Sequence, residues 1–231
     1  VARNRDIADA LDAEAIRSFA ERSSIDLFRL KVDLRDAHLF QVLKEHRLAY
    51  EMFTINARLS IDVDPSVAAS FDRPDRVSVE KVAADDRTFE RDVDDILDTK
   101  GWFEYDGPRF RALVPVERSR QLARAYFSSF ANGEGGRHAW RLLHEGRSAG
   151  IYMGREDAHG FHGTLYGILP SFRGRNLSRH IYSSMLRTCL EADWKRFFIE
   201  VHLSNGASLR SALNAGMQVE RSFFNLNVFT D

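Results

Sequence analysis

Hydrophobic and polar positions alternate with the period of β-strands in three consecutive runs near the middle of the chain. The runs HAWRLLHE (138–145), SAGIYMGRE (148–156) and FHGTLYGILP (161–170) are joined by short turns, which predicts three sequential antiparallel strands. Apolar residues then recur at every fourth position and predict a helix, namely at Leu177, Ile181, Met185 and Cys189. Alternation returns in RFFIEVHL (196–203), which predicts a further strand.

The remaining elements of this region are indicated by the same two periods. A helix is predicted at 205–216, with Asn205 as its N-cap and Gly216 at its end, and one or two strands at 217–229. Upstream, the patterns predict a strand at 77–82 and helices at 86–98 and 116–131. Residues 77–231 therefore read as one mixed α/β domain.

The N-terminal third has its own pattern. It predicts a helix at 6–20 and strands at 26–32 and 49–63 with a helix between them, while 64–76 carries two prolines and no period and is interpreted as a linker. Residues 28–60 align without a gap on 197–229, with five identities: Phe28/Phe197, Val32/Val201, Leu34/Leu203, Glu51/Glu220 and Asn56/Asn225. We therefore predict three segments, with 1–63 containing a β-α-β half-domain built like the end of the segment 77–231. The alternative, that two strand–helix–strand units resemble each other by chance, stays open.

Composition excludes several classes of protein. Hydrophobic residues make up 44% and charged residues 29% of the 231 positions, which is ordinary for a globular protein. The formal net charge is −1, so we expect no nucleic-acid partner, and no apolar run approaches the roughly 20 residues that span a bilayer, so we expect no membrane partner. The single cysteine, Cys189, permits no intrachain disulfide, and we expect a cytoplasmic protein. His159 and His162 form an H-x-x-H pair without a third ligand at a metal spacing, so no metal site is expected.

A basic turn lies between the predicted strand 161–170 and the helix that follows. Its residues are Arg173, Gly174, Arg175, Asn176, Leu177 and Ser178. Amides at a helix start lack intrahelical partners and lie at the positive end of the helix dipole, so they can bind a pyrophosphate. Glycine permits close approach of a ligand to the backbone, and asparagine tolerates a positive φ. A turn that is only solvated is the alternative.

The surrounding motifs resemble those of the GNAT superfamily of acyl-CoA-dependent N-acetyltransferases. YGILPSFRG (166–174) is similar to the family's L-x-V-x-P-x-x-R-G, and Arg173 fills the first position of its phosphate loop Q/R-x-x-G-x-G/A. Asn176 and Ser178 replace the two small residues of that loop. The later pattern N-x-x-A-x-x-x-Y-x-K-x-G-F is matched in part, by Asn205, Ser208, Gly216 and Met217, with Ala212 where the family often has Tyr. The resemblance covers about residues 77–231, and the layout of the whole chain is similar to that of dTDP-fucosamine N-acetyltransferases.

The resemblance implies a GNAT fold with a mostly antiparallel central sheet, preceded here by the half-domain. The family's fourth and fifth strands, here the predicted strands 161–170 and 196–203, would splay apart and admit the pantetheine arm of acetyl-CoA. Backbone groups of Ile168 would contact pantetheine, the amides of 173–178 would bind pyrophosphate, and Asn205 and Ser208 would face the cofactor. Acetyl-CoA is thus the expected co-substrate, and a primary amine would attack its thioester directly.

Alternation along the strand 161–170 places residues 162, 164, 166 and 168 on one face. His162 falls where some relatives carry a general base, and histidine titrates in the useful range; a structural histidine at a strand start is the alternative. Ala212 leaves the family's acid position empty. The candidates that could protonate the leaving thiolate are Tyr166, Tyr182, Ser208 or water; the alternative is that no acid is needed, because a CoA thiolate is already a tolerable leaving group. Glu200 and His202 share the polar face of the next strand, as substrate contacts or as a solvated face.

The acceptor is expected at the aromatic loop 100–110. Trp102 and Tyr105 could stack on a sugar or base, and Arg109 could supply a polar contact; a loop folded onto the core is the alternative. The sequence thus predicts an N-acetyltransferase acting on the amine of a nucleotide-linked amino sugar. Another small amine, such as an antibiotic or amino acid, and an inactive acyl-CoA-binding module remain the alternatives, and a homodimer is left open.

Overall fold

The computed structural model of the protein describes residues 27–35, 38–45, 49–66, 76–84, 86–98, 108–158 and 160–229. The predicted helix 6–20 lies outside the described residues, as do Trp102, Tyr105 and the greater part of the predicted linker. The division of the chain at 63 and 77 stays a prediction.

Eight strands form one sheet in the order β1-β8-β2-β7-β6-β5-β4-β3. The strands are β1 (Leu27–Asp33), β2 (Ala49–Asp62), β3 (Val77–Lys81), β4 (Arg137–His144), β5 (Arg147–Asp157), β6 (Gly160–Ile168), β7 (Arg196–His202) and β8 (Gln218–Phe229). Every neighbouring pair is antiparallel except β6 and β7. The prediction of a mixed α/β fold with a mostly antiparallel sheet is confirmed, and the region 217–229 is one strand.

Six α-helices accompany this sheet in the described ranges. They are α1 (His38–Glu45), α2 (Arg87–Leu97), α3 (Pro108–Leu113), α4 (Val116–Ala131), α5 (Ser178–Glu191) and α6 (Gly206–Asn214). Helix α2 begins after Asp86, whose side chain accepts hydrogen bonds from the amides of Thr88 and Phe89. Helix α3 overlaps the end of the predicted loop 100–110. The sequence did not predict this helix, because six residues are too few to show a helical period. Proline at its first position costs no hydrogen bond there.

Two apolar clusters hold the helices on the sheet. The larger cluster joins α2, α4, α5 and α6 to the central strands, and the smaller one joins α1 to β1 and β8. In the smaller cluster Leu43 of α1 packs with Val32, Leu226 and Val228. Since side chains alternate along a strand, Lys31 of β1 and Asn227 of β8 point to the opposite face.

The strands β6 and β7 separate along their length. Their parallel ladder contains only the pairs Phe161↔Phe197, His162↔Phe198 and Gly163↔Ile199. Beyond these pairs β6 continues to Ile168 and β7 to His202 without pairing with each other. The predicted splay is therefore present, and it opens after Gly163.

A β-bulge lies at the same point of β6. Gly163 faces Gly154 of β5 and Leu165 faces Met153, so Thr164 is an extra residue in β6. A Cβ on Gly163 would meet Met185 of α5, whereas a Cβ on Gly167 would meet Ile96 of α2. The faces of β6 thus exchange at the bulge, because 163 and 167 would share a face in a regular strand.

Strands from both ends of the chain interleave in the sheet. β2 lies between β7 and β8, and β8 lies between β1 and β2. Ile55 of β2 faces Phe224 of β8, and these residues lie 169 positions apart, which is also the offset of the sequence repeat. At this pair the two copies of the sequence repeat therefore lie side by side in the sheet.

Candidate active site

The gap between β6 and β7 leaves one backbone edge of β6 unpaired from Thr164 to Ile168. On its other edge this segment is hydrogen-bonded to β5, with Ile168 facing Gly150. The carbonyl oxygen of Ile168 accepts a hydrogen bond from Arg173 Nε at 3.3 Å. An extended ligand that enters the gap can therefore pair with β6 as an additional strand, and Arg173 holds the end of that strand next to the basic turn.

The basic turn has the backbone conformation that its sequence predicts. Gly174 has a φ of +76° and Asn176 a φ of +57°, both in the left-handed region. A Cβ placed on Gly174 would meet nothing within 4 Å, so the backbone there borders open space. Helix α5 begins at Ser178, and no side chain caps its first amides. The amide of His180 donates to the carbonyl oxygen of Leu177 at 3.0 Å, so an anion at this helix start would bind the amides that precede it.

Within the turn, the side chains divide between core and surface. Leu177 is buried in the core, whereas Arg173, Arg175 and Asn176 are exposed. Ser178 Oγ lies 3.4 Å from Ser211 Oγ, a contact that joins the first residue of α5 to the middle of α6. Any contact that Leu177 makes with a ligand is thus through its backbone.

Cations surround the turn. The guanidinium carbons of Arg175 and Arg147 lie 5.1 and 5.4 Å from the ring centroid of Phe172. Burial lowers the pKa of His180, and the charges of nearby Arg179 and Arg187 lower it further. The neighbourhood therefore favours a polyanionic ligand such as a pyrophosphate.

Three hydroxyl groups meet between β6, α5 and α6. Tyr166 Oη and Ser208 Oγ are 2.7 Å apart, and Tyr182 Oη lies 3.4 Å from Ser208 Oγ. Burial raises the pKa of Tyr166 and of Tyr182, so both phenols stay protonated across the physiological range. Ala212 is fully buried in α6 and brings no hydroxyl group to this network. The network can donate a hydrogen bond to a charge that develops in the gap.

Asn205 caps α6 as predicted. Its Oδ1 accepts a hydrogen bond from the amide of Ser208 at 3.2 Å. This bond orders the turn that carries Ser208, and so it positions the hydroxyl that contacts Tyr166. The cofactor-binding roles predicted for Asn205 and Ser208 stay predictions.

The expectation that His162 and Tyr166 share one face of the strand is wrong. The bulge at Thr164 separates them, so that Tyr166 faces Tyr182 of α5 while His162 lies on the opposite face. There the imidazole stacks on Phe198 of β7, with ring centroids 4.8 Å apart. A period of two could not reveal this, because the bulge depends on pairing with β5.

The surroundings of His162 make it a weak base. Its pKa is lowered to about 4, mainly by burial; the charge of Glu200 opposes this shift, and the charges of Lys31, Arg155 and Arg58 add to it. A base is most effective when its pKa lies near the working pH. The catalytic role of His162 stays a prediction, and in this environment the imidazole is neutral at pH 7.

Glu200 lies at the mouth of the gap, one residue after the last β6–β7 pair. Its carboxylate binds Arg58 Nη2 of β2 at 3.1 Å and forms an ion pair with Lys31 of β1. Burial alone would raise the pKa of Glu200, but Lys31, His162 and Arg58 together lower it. Glu200 is therefore ionised, and it is not placed on a merely solvated face.

The sequence alone missed Lys31 and Arg58. Both stand at polar positions of alternating strands, which is a signal for one face of the sheet but not for a partner. Their contact with Glu200 depends on the strand order. His202 is nearby on β7, where its Nδ1 accepts a hydrogen bond from the amide of Ser204 at 3.1 Å, and burial lowers its pKa.

The predicted acceptor loop is described only from residue 108 onward. Arg109 lies in α3, and its side-chain contacts, like Trp102 and Tyr105, lie outside the described residues. Helix α3 packs against the N-terminal strands. The amide of Phe110 donates a hydrogen bond to Glu51 Oε2 at 3.2 Å, and the guanidinium carbon of Arg29 lies 4.3 Å from the centroid of the Phe110 ring. Arg29 and Lys31 share a face of β1, so α3 is on the same side of the sheet as Glu200.

Within the described residues, no group of three or more His, Cys, Asp or Glu side chains is placed to hold a metal ion. Among the helices given above, none has the length and apolar character needed to cross a membrane.

Comparisons with known proteins find similarity in structure and not in sequence. No family model matches the chain, and no curated protein matches it. A GCN5-related N-acetyltransferase from Kribbella flavida is similar in structure, with a TM-score of 0.61 and 14% identity over 93% of this chain and 73% of that protein.

Two further solved structures have the same architecture. A GCN5-related N-acetyltransferase from Sphaerobacter thermophilus has a TM-score of 0.57 and 13% identity, over 93% of this chain and 65% of that protein. A tandem GNAT protein from the clavulanic acid biosynthesis pathway has a TM-score of 0.57 and 11% identity, over 94% of this chain and 68% of that protein. The splayed sheet and these similarities show that the chain has the fold of the GNAT acetyltransferases.

Proposed function

We propose that the protein transfers an acetyl group from acetyl-CoA to a primary amine. The observation that carries this proposal is the combination of the splay after Gly163 with a basic turn whose backbone is open at Gly174. Acetyl-CoA supplies the acetyl group as a thioester. The β6 edge from Thr164 to Ile168 would pair with its pantetheine arm, and the amides of 173–178, with Arg173 and Arg175, would bind its pyrophosphate.

The leaving thiolate and the attacking amine would contact residues on opposite faces of the sheet at β6. In the transfer, a bond forms between the amine nitrogen and the acetyl carbon, the carbon–sulfur bond breaks, the amine loses a proton and the thiolate accepts one. Tyr166 lies on the α6 side with Ser208, where its phenol can donate to the leaving sulfur. Glu200 and His162 lie on the other side, where the amine would bind.

For the acceptor we propose a nucleotide-linked amino sugar, in keeping with the layout of the chain. The N-terminal strands lengthen the face that borders the gap, because β2 and β8 continue the sheet beyond β7. Strands about 4.8 Å apart make this face long enough for an extended acceptor.

A module that binds acyl-CoA without turning it over is the second candidate. It is favoured by the low pKa of His162, by the ion pairs that engage Glu200 and by the lack of a hydroxyl at Ala212. Release of free thiol from acetyl-CoA over a panel of amines separates the two candidates.

The cofactor site is tested by Arg173→Glu. A carboxylate beside the pyrophosphate replaces attraction by repulsion, so we expect the dissociation constant for acetyl-CoA to rise at least about tenfold. The matched control is Arg35→Glu, an exposed arginine beyond β1, which should leave this constant unchanged. Isothermal titration calorimetry measures both. Equal affinity in the parent and Arg173→Glu would remove the cofactor from this turn.

A further inference from the structure

The sheet face that carries Glu200 is polar even where it is buried. Asn225 and Asn227 of β8 are both buried, and they point away from the apolar cluster under α1. In the described part of the chain, six buried side-chain nitrogen or oxygen atoms have no hydrogen-bond partner. Four of the six belong to this face: Asn56 Oδ1, Arg58 Nε, Asn227 Nδ2 and Asn227 Oδ1. Nearly all buried polar atoms in proteins are paired, so this concentration points to a ligand.

Two of these atoms lie close to the gap. Asn56 faces His202 and Arg58 faces Glu200 in the β2–β7 ladder, and Glu200 follows directly on Ile199 of the last β6–β7 pair. A group bound at Asn56 and Arg58 is thus within one strand of the place where the acetyl group would be transferred.

The ionised groups at this position do not balance. Lys31 and Arg58 are positive, Glu200 is negative, and burial keeps His162 neutral. The ion pair between Lys31 and Glu200 joins an outer strand to β7 across two intervening strands. Lys31 Nζ also lies 4.9 Å above the ring of Phe223, so the pair covers part of the polar face.

We infer that the amine acceptor carries an anionic group, a phosphate or a carboxylate, and that Arg58 and Lys31 bind this group while Glu200 and Asn56 bind the amine end. The inference rests on the proposed function and assigns residues to the anionic part and to the amine end of its acceptor. A zwitterionic acceptor replaces each partner of the Lys31–Glu200 pair with a group of the same charge, so no ion is left uncompensated. The anion also gives Arg58 Nε an acceptor. A neutral amine does neither.

Three amino sugars with one amine and different charge test the inference. They are glucosamine, glucosamine 6-phosphate and muramic acid, which differ by a phosphate or a carboxylate. At fixed acetyl-CoA, we expect at least one anionic sugar to release thiol with a kcat/KM about tenfold or more above that of glucosamine, because charged hydrogen bonds are strong. The better of the two anionic sugars identifies the group as phosphate or carboxylate.

The variants Arg58→Gln and Lys31→Gln should each bring the ratio of anionic sugar to glucosamine towards one. Lys31 is 41% exposed, so its replacement is informative even if Arg58→Gln fails to fold. Arg124→Gln removes an arginine of a partly exposed ion pair between α4 and α2 and should keep the parent ratio. A parent ratio near one, or a ratio unchanged in both variants, overturns the inference.

Binding gives a readout without turnover. In protein saturated with CoA, the anionic sugars should raise the melting temperature more than glucosamine does. If CoA binds and no anionic sugar shifts the melting temperature, the charge inference fails and the proposed cofactor site stands. If CoA itself does not bind, the proposed function fails with it.

Discussion

The N-terminal unit, β1–α1–β2, and the C-terminal unit, β7–α6–β8, have the same order of elements but different neighbours. β7 lies beside β6, whereas β1 is the outermost strand of the described sheet. Only the C-terminal unit therefore borders a splayed gap and the strand–turn–helix that carries Arg173 and Gly174. The proposed cofactor site therefore requires a parallel strand that diverges from the β-α-β unit, and only the C-terminal unit has such a neighbour in the described sheet.

Equivalent positions of the two units have different chemistry. Lys31 is equivalent to Glu200 at the offset of 169, and the two carry opposite charges and pair with each other. Arg58 is equivalent to Asn227, and both have buried atoms without a partner. The N-terminal unit thus supplies side chains to the face beside the gap and does not repeat the gap.

The largest effect on turnover is expected from the hydroxyl network of the C-terminal side. Tyr166→Phe removes the phenol that contacts Ser208 and would donate to the leaving thiolate, so kcat should fall about 10²-fold. The dissociation constant for acetyl-CoA should change little, because the ring remains. Steady-state kinetics and calorimetry separate the two quantities.

The control comes from the N-terminal unit. Tyr50→Phe removes an exposed phenol from β2, which packs beside Phe40, and it should leave kcat unchanged. If the two variants lower kcat equally, the assignment of catalysis to the C-terminal side is contradicted. If Tyr166→Phe retains full kcat, water or Tyr182 is the better candidate for the acid.

A smaller effect tests whether charges of the N-terminal unit act at β6. The pKa of His162 is about 4 in the folded protein and near 6.5 when unfolded, so the folded state binds fewer protons between these values. The free energy of unfolding should therefore fall as the pH drops from about 6.5 to 4. Denaturant titrations of the parent and His162→Gln should differ over this window by on the order of 2 kcal/mol.

If the free energy of unfolding of the parent and of His162→Gln has the same pH dependence, the lowered pKa of His162 is contradicted. His180 and His202 have lowered pKa values too, but they are present in both proteins and their contribution cancels. Lys31→Gln should weaken the effect, since Lys31 is among the charges that lower the pKa of His162.

The sequence predicted those features that depend on local periods. Helix α4 begins and ends at the predicted residues 116 and 131, and Gly174 and Asn176 have the positive φ that their residue types permit. Asn205 caps α6 because its side chain acts on an amide three residues away. Each of these depends on neighbours in the chain.

The features that the sequence did not predict depend on partners far along the chain. The bulge at Thr164 is set by pairing with β5, and it moves His162 away from Tyr166. The contacts of Glu200 with Lys31 and Arg58 require β2 to lie next to β7 and β1 to lie two strands further out. No hydrophobic period encodes this strand order. The sequence thus predicts candidate residues, but their contacts with one another depend on the strand pairing.

Hydrogen exchange in the presence of acetyl-CoA tests the central claim most directly. The proposed site requires that the unpaired β6 edge and the turn bind the cofactor, so the amides of 164–168 and 173–178 should exchange more slowly when acetyl-CoA is added. The amides of β1, which lacks a diverging neighbour in the described sheet, should exchange at an unchanged rate. Protection at β1 equal to that at β6, or no protection of the turn at saturating acetyl-CoA, would contradict the account.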